Sequence, residues 1–117
     1  MFVKVKLSEN LAVGTVVSYD STNSNWTTAS NDNDLIGVVN QAPVQDSETQ
    51  EYWAQVVFAG LANALADRAI PDEGGELCVL NGKVFVNNSM DGCGIIAPKP
   101  RDLSSRVADD LVMVHLR

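Results

Sequence analysis

Histidine occurs once in this 117-residue chain, cysteine twice, and 8 basic residues face 15 acidic ones. Each scarcity removes a class of function. A lone histidine, His115, cannot build a multi-histidine metal centre. Cys78 and Cys93 cannot make a disulfide framework, and their spacing is no zinc pattern by itself. They read as partly buried thiols, because small apolar cysteine is often interior. A net charge of −7 disfavours nonspecific contact with nucleic acid or anionic membrane, both of which need positive charge. Neither a nucleic-acid nor a membrane partner is expected. No apolar run approaches the ~20 residues of a membrane span, and "MFVKVKLSEN" has no apolar core of signal-peptide length.

Catalytic signatures are also missing. The chain contains no GxSxG, HExxH or CxxC and no phosphate-cradling glycine loop. "DEGG" supplies glycines, but Asp72, Glu73 and Glu76 around it would repel a phosphate. The acidic pairs Asp72/Glu73 and Asp109/Asp110 are adjacent in sequence, so on a strand they would point to opposite faces. They read as solvated loop carboxylates. A nucleophilic dyad of Cys78 or Cys93 with His115 has no supporting motif. Asn25-Trp26-Thr27 and Asn87-Asn88-Ser89 match the N-glycosylation pattern without a signal peptide to give it meaning.

One stretch invites a metal. "ASNDNDLIGVV" alternates Asn31, Asp32, Asn33 and Asp34 before Gly37. A calcium loop of the EF-hand kind needs oxygen ligands at positions one, three, five and twelve, with glycine at six. With Gly37 at six, position five is Ile36 and position twelve is Pro43, and neither supplies a side-chain oxygen. The stretch therefore reads as an Asx-rich turn that launches a strand. No metal and no cofactor are expected.

What the chain does have is alternation. A hydrophobic content of 45% and a charged content of 20% describe a folded domain. A chain of this length buries roughly two-thirds of its unfolded surface, enough for one core without staples. "FVKVKL" puts Val3, Val5 and Leu7 on one face and Phe2, Lys4 and Lys6 on the other. "GTVVSYD", "WTTA", "LIGVVN" and "EYWAQVVFAG" follow as strand candidates, with "APVQDSETQ" as a polar loop. In "LCVLNGKVFV", Asn81-Gly82 between β-rich runs predicts a type I′ hairpin with strands near 76–80 and 83–87. "GIIAPKP" is a brief strand ended by Pro98, and "DLVMVHLR" a last strand with Val112, Val114 and Leu116 on one face. "GLANALADRAI" is left between a short helix, which its Ala and Leu favour, and an extended strand. The fold class is all-β, a small β-barrel or β-tulip-like domain with at most one short helix. Residues 1–10 form an N-terminal arm or a first strand, and 11–117 a single β domain.

The candidate partner-binding residues follow from this layout. Met1, Phe2, Val3, Lys4, Val5 and Lys6 make an apolar and basic segment on an acidic chain. Such a segment either adds a strand to a partner's sheet edge or serves as the first strand of its own sheet. Of the large aromatics Trp26, Tyr52 and Trp53, one of the adjacent pair Tyr52/Trp53 must face outward on a strand. Trp53 joins the candidates, because exposed Trp is enriched at interfaces.

The succession of motifs resembles a known family. "LAVGTVVSYD", "WTTASNDNDLIGVV", "WAQVVFAGLANALA", "GGELCVLNGKVFV", "CGIIAPKP" and "LVMVHLR" follow the order found in the small head-decoration, or capsid cement, proteins of tailed bacteriophages. In them an early G-x-V-V strand and a hydrophobic-G-V-V segment precede an N/D-G-K-V hairpin and a final alternating strand. The resemblance spans roughly Leu11 to Leu116, with "RDLSSRVADD" as a departure before the last strand. It implies a homotrimer on the outer capsid surface, made in the host bacterial cytoplasm, that binds the major capsid protein, stiffens the shell and catalyses nothing. On this expectation, removing residues 1–6 abolishes capsid binding and leaves the fold intact. The alternatives are a β-barrel tail or fibre module binding a receptor or glycan through Trp26, Trp53 or Tyr52, and a small thiol enzyme using Cys78 or Cys93 with His115.

Overall fold

The computed structural model describes residues 2–29, 36–68, 75–86, 95–97 and 111–116. Every regular element among them is a strand. They are β1 (Phe2–Leu7), β2 (Val16–Asp20), β3 (Asn25–Thr28), β4 (Ile36–Val39), β5 (Val44–Gln45), β6 (Tyr52–Val57), β7 (Gly60–Leu65), β8 (Gly75–Leu80), β9 (Lys83–Phe85), β10 (Ile95–Ala97) and β11 (Leu111–Leu116).

Five of the first six strands close a barrel. Pairing runs β1-β3-β2-β4-β6 and returns from β6 to β1, with β5 added beside β4 on the same edge of β6. The return is the longest ladder of this sheet, from Phe2↔Val57 to Leu7↔Tyr52. The segment expected as arm or first strand is therefore a barrel stave. This corrects the expectation that removing residues 1–6 leaves the fold intact, since five of the six ladder positions with β6 would go with them.

The remaining strands form a second sheet in the order β7-β11-β10-β8-β9. It curls until Ala66, just past β7, bridges Val84 of β9, where Asp67 N–H donates to Val84 O at 2.8 Å. The segment left open between helix and strand is β7. Its alanines at 62, 64 and 66 alternate into the interior, while Leu61 and Asn63 face out. Burial at period two overrides the helical preference of Ala and Leu. Small side chains also let this strand lie close against its neighbours.

Three valine doublets explain how the first sheet fills its own barrel and also shares a core with the second sheet. Adjacent strand residues point to opposite faces, yet Val16 and Val17, Val38 and Val39, and Val56 and Val57 are all buried. Val17, Val39 and Val56 fill the barrel with Leu7, Leu11 and Ala54. Val16, Val38 and Val57 face the other way and pack against Leu77, Val79, Val84, Val112 and Val114 of the second sheet. Each such side chain contributes about 1.5–3 kcal/mol relative to exposure. Gly37 makes room inside the barrel, since an added Cβ there would collide with Val56 Cγ1 and press on the Phe58 ring.

The hairpin at Asn81-Gly82 locks the sheets together. Both residues have positive φ, 48° and 79°, as a type I′ turn requires. The turn does more than reverse the chain. Val16 N–H donates to Gly82 O at 2.8 Å, and Gly82 N–H donates to Ala29 O at 3.0 Å. The hairpin tip thus docks between β2 and the end of β3. A Cβ on Gly82 would stand 2.8 Å from Thr15 Cγ2 and 3.2 Å from Val16 O, so glycine is required for space as well as for φ.

Candidate interaction face

Antiparallel pairing decides which candidate residues meet. Cross-strand partners share a face, and β1 places Lys6 opposite Trp53 and Lys4 opposite Gln55. On the other edge of β6, Val44 of β5 also pairs with Trp53. Lys4, Lys6, Trp53 and Val44 therefore share the outward side of the barrel. Trp53 is 38% exposed and Val44 66%. With Asp46, Lys4, Val44 and Trp53 line a shallow groove of ≈ 290 Å³.

The groove has a stiff rim. The loop from β5 to β6 turns on Asp46, whose carboxylate accepts from Glu48 N–H at 2.8 Å and Thr49 N–H at 3.2 Å. Asp46 N–H donates to Glu51 O at 2.7 Å, and Gln50 closes the turn with φ 64°. Gln45 Nε2 ties down Gln50 through its backbone and side-chain oxygens. Lys6 stands 3.7 Å from Glu51 with both side chains partly exposed. Such a pair contributes about 0–1 kcal/mol. Among the described residues no ion pair involves Lys4.

The expected partner-binding residues divide. Lys4, Lys6 and Trp53 come together on the outer face. Val3 and Val5 lie on the opposite side of β1, where Val5 packs against the barrel core and Val3 stays 47% exposed. Phe2 belongs to β1, and Met1 lies outside the described residues. Tyr52 points inward and packs on the core, as the alternation demanded of one of the pair. Trp26 is half-buried, its ring 5.6 Å from Tyr19 and 5.0 Å from Phe58. Only Trp53 of the three aromatics is therefore free to meet a ligand with its face.

Val44 and Asp46 escaped the sequence reading. They sit in the segment taken as a polar loop, and a two-residue strand after Pro43 carries no periodic signal. A second exposed apolar face lies on the other sheet. Leu61 faces His115, Asn63 faces Met113 and Leu65 faces Leu111 across β7 and β11. Leu61, Leu111 and Met113 are exposed there, and no carboxylate shares these six positions.

For the thiol-enzyme alternative, Cys78 is buried on β8, and β10 runs between β8 and the β11 strand of His115. Two strand spacings of about 4.7–4.9 Å separate the two backbones, beyond proton-transfer reach. Cys93 lies outside the described residues, as do Asn31 to Asp34 of the calcium-loop test, the glycosylation match at Asn87, and the acidic pairs at 72/73 and 109/110. Among the described residues no three His, Cys, Asp or Glu side chains gather to hold a metal. No helix among them is long and apolar enough to cross a membrane. No family model, characterised protein or solved structure matches this chain.

Proposed function

We propose that this protein is a non-catalytic capsid-decoration protein of a tailed bacteriophage, docking on the outer surface of the major capsid shell. One observation carries the proposal. A basic and aromatic face, Lys4, Lys6 and Trp53 with Val44, is built on rigid strands of a chain whose net charge is −7. The remaining negative charge opposes nonspecific association elsewhere on the surface, and this face directs a complementary acidic and apolar surface to one side of the barrel. The family resemblance of the motif order supplies the identity of that surface. Copies would meet as a homotrimer through the carboxylate-free face of β7 and β11, where like charges do not oppose contact. Three weak attachments acting together then hold far more tightly than one.

The experiment is to mix purified protein with undecorated capsids and image them. Saturable density at local three-fold positions is expected, with loss of binding for Trp53→Ala and for Lys4→Glu. Absence of wild-type binding refutes the proposal. A second reading, a tail or fibre module binding a glycan, is favoured by the groove that sets Trp53 beside Lys4 and Asp46. An aromatic ring flanked by hydrogen-bonding groups suits a sugar. Glycan binding sensitive to Trp53→Ala, without capsid binding, would select it.

A further inference from the structure

The barrel closes unevenly. β1 pairs with β6 along its whole length, but meets β3 at a single position, Leu7↔Trp26. Ser8 N–H donates to Trp26 O at 2.8 Å, so Ser8 turns its backbone toward β3. Backbone groups alternate between the two edges of a strand. Lys6, Lys4 and Phe2 therefore turn the same way as Ser8, while Val3, Val5 and Leu7 turn toward β6. Beyond Leu7↔Trp26, no strand among the described residues pairs with this edge of β1. The N–H and C=O of Lys4 face an open seam about four residues long, some 13 Å at ~3.3 Å per residue.

Two more observations fall on this seam. Val3 points to the barrel side, opposite the fully buried Val56, yet is 47% exposed. Its uncovered surface is what a missing neighbouring strand would cover. Asn25 follows Trp26 back along β3 to the position beside Lys6, and its Oδ1 is buried with no hydrogen-bond partner. A buried acceptor without a donor costs about 1–3 kcal/mol. An extended segment entering here would bring backbone N–H groups to that end of the seam.

We infer that the open edge of β1 accepts one extended acidic segment of the partner as an added strand, hydrogen-bonded to the Lys4 backbone. Its carboxylates face the Lys4 and Lys6 side chains, and its alternate apolar residues cover Val3 and Val5. The charges select the occupant. Lysine on an edge strand repels basic strands and discourages uncharged ones, and acidic strands alone gain from it. Lys6 already meets Glu51, so Lys4 is the principal charge. By contrast β5 has two residues and follows Pro43, which leaves too short an edge to template a strand. The partner's identity as a capsid protein rests on the proposal above; the strand contact rests on the seam.

The test uses the full chain and a synthetic peptide of alternating Val and Glu, with a Val/Lys peptide as control. Amide spectra and hydrogen exchange report on β1. The Val/Glu peptide is expected to shift the Lys4 amide and slow its exchange, and the Val/Lys peptide to do neither. Lys4→Glu should reverse that preference. Lys4→Pro removes only the seam-facing N–H and leaves the β6 ladder intact, so it should fold and fail to bind. Unperturbed β1 amides, or undiminished peptide binding by Lys4→Pro, overturn the inference. Capsid binding that survives Lys4→Pro also overturns it and leaves the capsid proposal standing. Peptide binding by a protein that ignores capsids overturns the capsid proposal and supports the seam.

Discussion

Gly82→Ala tests the docking of the hairpin tip. The residue has φ 79°, where an L side chain costs roughly 1–2 kcal/mol. The new Cβ would also stand 2.8 Å from Thr15 Cγ2 and 3.2 Å from Val16 O. Neither neighbour yields freely, because Thr15 is buried and Val16 belongs to the shared core. Overpacking of this kind costs about 1–3 kcal/mol. The expected total is about 2–5 kcal/mol, a large part of the ~5–15 kcal/mol that holds an ordinary domain folded. Gly60 supplies the control, with φ 88° and nothing within 4 Å of an added Cβ. Gly60→Ala should show the conformational cost alone, about 1–2 kcal/mol. Both are read from urea denaturation, with the midpoint falling and the slope unchanged. A Gly82→Ala cost no greater than that of Gly60→Ala would refute the close docking of the hairpin on β2 and β3.

Leu77 is among the largest fully buried side chains. Leu77→Ala should cost about 2–5 kcal/mol, measured by the same denaturation. Removal of residues 1–6 strips the β6 ladder of its partner, and should abolish the cooperative unfolding transition rather than capsid binding alone; a cooperative transition in the truncated protein would contradict the barrel closure. Asp20 caps its turn by accepting from the Asn23 side chain and from the backbone N–H groups of Thr22 and Asn23. The Asn23 side-chain bond, with the backbone bonds, holds its carboxyl below the ordinary aspartate value. A depressed carboxyl stabilises the fold above the unfolded-state pKa, and that stabilisation is lost as pH falls through the folded-state value. Wild type should therefore exceed Asp20→Ala in thermal stability at neutral pH, with the gap closing below pH ~4. A gap that widens on acidification would refute the capping role.

Much of the local structure was readable residue by residue. Alternation marked the strands, and Asn81-Gly82 marked its hairpin because few residue pairs tolerate two positive φ angles in succession. The outward turn of one residue in Tyr52/Trp53 followed from period two alone. The site was legible in part. Lys4, Lys6 and Trp53 were singled out as residues, but 46 positions separate Lys6 from Trp53 and nothing in either segment indicates that they pair. Val44 and Asp46 gave no signal, because two paired residues are too few to show a period.

By itself, then, the sequence determined an all-β chain, its turns, and the alternation of each strand. Those properties arise from φ preferences and from side chains that switch faces at every residue, so neighbours along the chain suffice to specify them. Tertiary structure alone decided that β1 closes a barrel on β6, that Val16, Val38 and Val57 face the second sheet while Val17, Val39 and Val56 fill the barrel, and that β7 is extended. It also decided that, among the described residues, β1 keeps one open edge. Strand partners are chosen by which apolar faces can be buried together, and that choice depends on residues remote in sequence. A valine doublet is the same two letters whether one face or both are covered.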